Sequence, residues 1–167
     1  IRTPQALERA FRLNEDLLRQ GNHDDKLRLK QARVAVELRQ MSDAEAHLKL
    51  LQASQPDNAE VWYLSGVAAE ARRDEKTAVR CLKRSLRCTD TIPEAYAALA
   101  KLATESSALE FRPDSLIDLM IRQCPIPKAY RIRAEHFMNS GRHAHSISDL
   151  WKALAKTPDD LALNAML

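Results

Sequence analysis

Glycine is scarce in this sequence. The 167 residues hold three, Gly21, Gly66 and Gly141, and they lie far apart. A phosphate-cradling loop needs several glycines within a few residues, so that backbone N–H groups can approach the phosphate. No such loop is present. The shortage also counts against a sandwich or barrel, whose many tight turns draw on glycine. Cysteine is scarce too, with Cys81, Cys88 and Cys124. No pair has metal-ligand spacing, and an odd number suits a reducing compartment such as the cytoplasm better than a disulfide framework. The longest apolar run is Ala95–Ala100, whereas a bilayer-spanning helix needs about 20 such residues. The formal net charge of +3 is too small by itself to mark a nucleic-acid binder. Aromatic residues make up 5%, which gives little support to base stacking.

What the chain does have is a period. Four windows of equal length begin at Asp25, Ala59, Pro93 and Pro127, and no gap is needed between them. Their eighth positions read Ala32, Gly66, Ala100 and Ala134. Their eleventh read Ala35, Ala69, Ala103 and Phe137. The twentieth read Ala44, Ala78, Arg112 and Ser146, and the twenty-fourth are all leucine: Leu48, Leu82, Leu116 and Leu150. The fourth positions are Arg28, Trp62, Tyr96 and Tyr130, and Pro56 and Pro158 close the first and last windows. Small residues at two of these places let two helices approach closely. The leucines and the bulky residues fill the space between neighbouring pairs. One helix pair cannot bury its apolar face alone, so stacking supplies the core.

This pattern resembles the tetratricopeptide repeat (TPR) family, with Val61–Gly66 and the stretch from Tyr130 through Gly141 to Pro158 the closest matches. The resemblance implies an all-α solenoid, with antiparallel helix pairs stacked in a right-handed superhelix. The expected organisation is one array over 1–167. Residues 1–24 form the second helix of a preceding repeat, or a capping helix. Four repeats follow at 25–58, 59–92, 93–126 and 127–160, and 161–167 begin a further helix. Both ends fall inside the repeat frame and the chain starts at Ile1, so it reads as a piece of a longer protein. Helix starts are expected near 4, 26, 43, 58, 75, 92, 113, 127, 143 and 159. Ser42–Glu45 and Thr91–Glu94 fit capping boxes, and Thr3-Pro4 and Thr157-Pro158 place proline at a first helical position. The third repeat is irregular. Pro113 predicts a second helix that starts late, with Ser106–Arg112 as a longer loop, and Pro125 and Pro127 force a break before the fourth.

The residues carry no recognisable catalytic motif and imply no cofactor or metal. His143 and His145 are two apart on a predicted helix and point apart, so they read as solvated side chains. Cys81 and Cys88 share a helix face but sit roughly 10 Å apart along it, too far for a disulfide. The expectation is a non-enzymatic scaffold or adaptor that grips a protein or peptide partner.

The resemblance implies that the first helix of each repeat lines a concave groove. That face carries Lys26, Leu29, Arg33, Val36 and Glu37, then Glu60, Tyr63, Val67, Glu70 and Ala71. It continues with Glu94, Ala97, Lys101, Thr104 and Glu105, then Lys128, Arg131, Glu135, Met138 and Asn139. Its charge is mixed, and Leu29, Val36, Tyr63 and Val67 form an expected apolar strip edged by Arg33. The lysine–asparagine–arginine set with which TPR co-chaperones hold a C-terminal carboxylate is missing, since only Lys128 fits it. Two alternatives stay open. Lys76, Arg80, Lys83, Arg84 and Arg87 form a cationic stripe on one helix, which would bind nucleic acid or an acidic surface, although nucleic acid is the less favoured partner. The segment would otherwise recruit substrate for a larger enzyme. Self-association through the array ends is a further possible contact.

Gly66 and Ala100 sit where helices should touch. Leucine at either position is expected to overpack the contact and cost about 1–3 kcal/mol. Thermal unfolding of both variants checks this, and unchanged melting temperatures would contradict the packing scheme.

Overall fold

The computed structural model describes residues 3–21, 24–106 and 110–167. These form ten helices and, among the described residues, no strand. They are α1 (Pro4–Arg19), α2 (Asp25–Glu37), α3 (Met41–Ser54), α4 (Ala59–Ala71) and α5 (Glu75–Cys88), followed by α6 (Pro93–Glu105), α7 (Pro113–Gln123), α8 (Pro127–Asn139), α9 (His143–Leu154) and α10 (Leu161–Asn164). Every start lies within two residues of its expected place. No described helix is long and apolar enough to cross a membrane. His23 and the centre of the Ser106–Arg112 connection lie outside the described residues.

The chain divides into two compact units, Ile1–Cys88 and Thr89–Leu167. In the first, Ala32, Ala35, Ala44, Leu48, Leu51, Val61, Leu64 and Ala68 form a buried core on which Phe11, Leu29 and Tyr63 pack. In the second, Ala134, Leu150, Ala153, Leu154 and Leu163 form a core covered by Tyr130 and Met166. The repeated small residues mark the close approaches. A Cβ built on Gly66 would stand 2.7 Å from Leu82 Cγ and 2.8 Å from its Cδ2, and Leu82 is fully buried. Even one added carbon therefore forces a shift in a side chain with nowhere to go.

Helix starts use other side-chain caps than the sequence suggests. Thr3, Asp24, Asn58 and Asp160 accept hydrogen bonds from the first turns of α1, α2, α4 and α10. Pro4, Pro93, Pro113 and Pro127 stand in first turns, where a missing N–H costs nothing. Two expected capping boxes do not form. Ser42 lies inside α3, whose cap is Gln40, and Ile92 rather than Thr91 caps α6; neither cap makes a side-chain bond. Pro158 is in a turn and α10 starts three residues later, capped by Asp160.

The reason α3 starts early is the preceding turn. Arg39 and Arg73 adopt left-handed φ values of 59° and 62°, and Gly141 one of 73°. All three stand at the fifteenth position of their windows. Each closes a first helix with the same pair of bonds. Arg73 N donates to Glu70 O (2.8 Å) and Asp74 N to Ala69 O (3.0 Å). Arg39 and Gln40 donate likewise to Val36 and Ala35, and Gly141 and Arg142 to Met138 and Phe137. This is a Schellman ending, and it fixes the start of α3, α5 and α9 at the seventeenth position. The third repeat departs from it. Ser106 is extended, with φ −126° and ψ 108°, and α7 starts a full turn late, at Pro113.

A left-handed conformation costs a residue with a Cβ roughly 1–2 kcal/mol, and glycine adopts it freely. Arg73→Gly is therefore expected to raise stability by about 0.5–1 kcal/mol once glycine's larger unfolded-state entropy is subtracted. Thermal melts with circular dichroism check the sign. A lowered melting temperature would mean that the arginine side chain contributes more than the turn strain removes.

Candidate functional site

In the first unit the expected groove residues lie on α2 and α4, but much of the strip is already engaged. Leu29, Val36 and Tyr63 are partly buried and pack against the core; Val67 is half-buried and Lys26 exposed. Arg33 Nε donates to Glu60 Oε1 at 2.9 Å, and the two side chains form an ion pair from one repeat to the next. The charged edge expected to orient a partner's acidic residue thus already faces a glutamate of this chain.

The second unit repeats the device. Lys128 on α8 is ion-paired with Glu94 on α6, so the one lysine that fits a carboxylate-holding set is occupied. Lys101 and Glu105, and Arg131 and Glu135, are paired along their own helices, each at 4.0 Å. Between α6 and α8 lies a cleft of about 420 Å³. Ala97, Ala100, Ile117 and Ile132 supply its apolar surface; Lys101, Thr104, Glu105, Glu135, His136, Asn139 and Ser140 supply the polar remainder. Ala97, Lys101, Thr104 and Glu105, with Glu135 and Asn139, are residues the sequence places on the groove face. Ile117 belongs to α7 and was not foreseen. Its α7 begins one turn later than α3, α5 and α9 begin in their repeats.

A charged cluster backs this cleft. Arg142 donates to both Asp114 oxygens, at 2.8 and 2.9 Å, and His136 Nε2 stands 2.7 Å from Asp114 Oδ1. The Arg142 guanidinium lies 4.6 Å above the Phe137 ring. Beside it, Arg133 holds Asp149 through Nε (2.6 Å) and Nη2 (2.8 Å), with Asp149 only 1% exposed. Ser140, His136 and Asp114 are the residue types of a hydrolytic triad. The Ser140 hydroxyl, however, donates to the His136 main-chain carbonyl at 2.6 Å. That bond places no ring nitrogen to take the hydroxyl proton. No group of three or more metal-ligating side chains occurs among the described residues.

The cationic stripe lies on α5, with Lys76, Arg80, Lys83 and Arg87 exposed. Arg84 is different. It donates to Asp57 Oδ1 at 3.1 Å and lies 5.9 Å from the Trp62 ring centre, so it ties α5 to the turn before α4. Cys81 on this helix is buried and Cys88 half-buried, and both are free thiols. Burial pushes the Cys81 thiol above its ordinary range. His143 and His145 are exposed, the latter ring 5.4 Å from that of Phe137.

No family model matches the sequence, and no curated protein does. Solved structures match throughout. The crystal structure of TTC0263, a thermophilic TPR protein of Thermus thermophilus, aligns over 96% of this chain and 88% of its own with a TM-score of 0.79. This chain has a TPR-like repeat fold. MamA aligns over 92% of this chain and 90% of its own, with a TM-score of 0.64, and yeast Tom70 over 90% and 39%, with 0.57. Identities of 18%, 19% and 15% make these likenesses of fold.

The Asp114 cluster is pH-dependent with a definite sign. The hydrogen bonds from Arg142, then those from His136, lower the Asp114 pKa from 3.8 to about 2. A carboxylate with a lowered folded-state pKa adds stability above its ordinary value and loses it as pH falls towards the folded one. Asp114→Asn should therefore melt lower than the parent above about pH 5. The gap should close between pH 3.8 and about 2. A gap that persists to pH 2 would mean the cluster does not hold Asp114 ionised.

Proposed function

We propose that the chain is a protein-interaction scaffold whose first helices hold a segment of a protein partner, with the α6–α8 cleft as the principal grip. The observation that carries this reading is the cleft itself. It lies between two first helices, and its surface combines an apolar floor with polar groups. A peptide or amphipathic helix needs such a combination: apolar anchors for affinity and a few polar groups for register. TPR proteins of the same fold give this reading its general support. Arg131 and Lys128 on α8 extend the candidate contact face beside the cleft, and Lys26, Leu29, Tyr63 and Val67 on α2 and α4 form a separate candidate face in the first unit.

The cationic stripe on α5 is the competing surface, with an acidic partner or nucleic acid as its ligand. Arg84's engagement with Asp57 and Trp62 takes one of its five charges into the fold. Salt separates the two readings, because contacts to phosphates weaken steeply as salt rises and apolar contacts do not.

Random dodecapeptides displayed on phage, selected against the 167-residue chain and resynthesised, give the ligands for a test. Ala97→Phe should fill the cleft and weaken their binding by at least about tenfold, equivalent to about 1.4 kcal/mol. Arg80→Glu with Lys83→Glu should change affinity by less than about twofold, and raising salt from about 50 to about 200 mM should matter little. If the stripe variant abolishes binding, affinity collapses with salt and Ala97→Phe binds normally, the electrostatic reading replaces this one.

A further inference from the structure

The first unit carries a cleft of its own, between α1 and α2, of about 390 Å³. Ala6, Leu7, Ala10 and Val34 give it an apolar floor, and Asn14, Lys30 and Arg33 a polar edge. None of these residues is buried. Ala6, Ala10, Leu13 and Leu17 follow at intervals of four, three and four, so one stripe of α1 continues the floor. In the repeat frame, counted back one window from Asp25, Ala10, Leu13, Asn14 and Leu17 stand at the twentieth, twenty-third, twenty-fourth and twenty-seventh positions. In later repeats such positions face the repeat's own first helix. Gly66 on α4 abuts Leu82 and Ala78 on α5. The Ser85 hydroxyl donates to Ala59 O at 2.8 Å, and Arg133 on α8 holds Asp149 on α9. Leu51, Ser85 and Ala153, all at the twenty-seventh position, are 0% exposed, whereas Leu17 is 43% exposed and Leu13 56%.

Two residues set this face apart from an ordinary repeat junction. The twenty-fourth position is leucine in all four later windows, at most 8% exposed, and it is Asn14 here. The sixth position is Leu64, Ala98 and Ile132 in the later first helices, and it is Lys30 in α2. Lys30 is exposed and makes no ion pair among the described residues. Arg33 is turned towards Glu60, and no carboxylate lines the cleft among the described residues. A helix packed here for good would bury an amide and an ammonium, which is costly unless each meets a partner. A helix that docks reversibly and brings a carboxylate suits both. We propose that the α1–α2 cleft receives an amphipathic helix of a partner protein, seated as a first helix sits on its second. Its apolar face lies on Ala10, Leu13 and Leu17, and an acidic side chain stands opposite Lys30. This surface is separate from the α6–α8 cleft and does not depend on it.

The probe is a peptide with the sequence of α6, Pro93–Glu105, a first helix with Ala100 at its eighth position. Short helices are marginal alone in water, so it is held helical by a lactam bridge on its outer side. Its ninth residue is Lys101. Where α6 meets α8, Lys101 and Ile132, at the ninth and sixth positions, line one cleft. The ninth residue of a helix docked beside α2 therefore comes next to Lys30. The peptide is made with its own lysine there and with Lys101→Glu. Methyl NMR on the full 167-residue chain reads Leu13, Leu17 and Val34. The expected result is a saturable shift of all three, with the glutamate peptide bound about threefold tighter than the lysine peptide. Lys30→Glu in the chain should reverse that order. Leu13→Gln with Leu17→Gln, both at exposed positions, should abolish the Val34 shift while circular dichroism stays unchanged. Ala97→Phe should leave binding as it was, which keeps this surface distinguishable from the α6–α8 cleft. Unshifted methyls, or an order that Lys30→Glu does not reverse, would overturn the inference. Sedimentation should show a monomer. A dimer that Leu13→Gln with Leu17→Gln dissociates would assign the face to a second copy and overturn it as well.

Discussion

Close approach between the two helices of a repeat is the constraint on which the rest of this structure depends. The helices meet through alanines that are wholly or nearly buried, Ala32, Ala35 and Ala44 in one repeat and Ala134 and Ala153 in another. At Gly66 even an alanine is too large, because Leu82 stands where its Cβ would be. Short interhelical distances let leucines at equivalent places interdigitate at interior density. They also let the polar side chains of one repeat reach the next. Arg33 meets Glu60, Arg72 meets Glu45, and Lys128 meets Glu94. Exposed pairs of this kind contribute little individually. The first two join the repeats of the first unit and the third those of the second.

Polar side chains at two interior positions follow the same geometry. Arg133 and Asp149 stand at the seventh and twenty-third positions of the fourth window. Gln31 and His47 occupy those positions in the first. There Gln31 Nε2 donates to Phe11 O at 3.2 Å and to Glu15 Oε2 at 3.0 Å, while burial lowers the His47 pKa. A buried ion pair satisfies both of its members where geometry is good, and breaking one by removing a partner costs about 3–5 kcal/mol. The repeats thus share an apolar skeleton but solve one interior position differently, with an ion pair in one and an amide and an imidazole in another.

The architecture was legible because it rests on residue size at fixed spacing, which a single sequence displays directly. Turn chemistry was less so. Arginine carries no signal for a left-handed conformation, so Arg39 and Arg73 gave no warning of the tight helix endings, and Ser42 looked like a cap when it stands inside α3. The late start of α7 was legible from Pro113. The cleft between α6 and α8 was not, since it depends on Ile117 being brought beside Ala97 and Ile132 from a different helix. The strip around Tyr63 looked like a free surface for the converse reason. Periodicity shows which residues line a face, but not which of them the core has already taken.

The two tryptophans report on different environments, one in each unit. Trp62 is half-buried, donates its indole N–H to Pro56 O at 2.7 Å and lies beside the Arg84 guanidinium. Trp151 is 61% exposed on the outer side of α9. Their emission therefore divides naturally. A blue-shifted component is sensitive to loss of the α4–α5 packing, and a red-shifted, quencher-accessible component belongs to α9. Iodide or acrylamide quenching separates them without any label, so the chain carries its own optical means of asking whether its two halves unfold as one body or in turn.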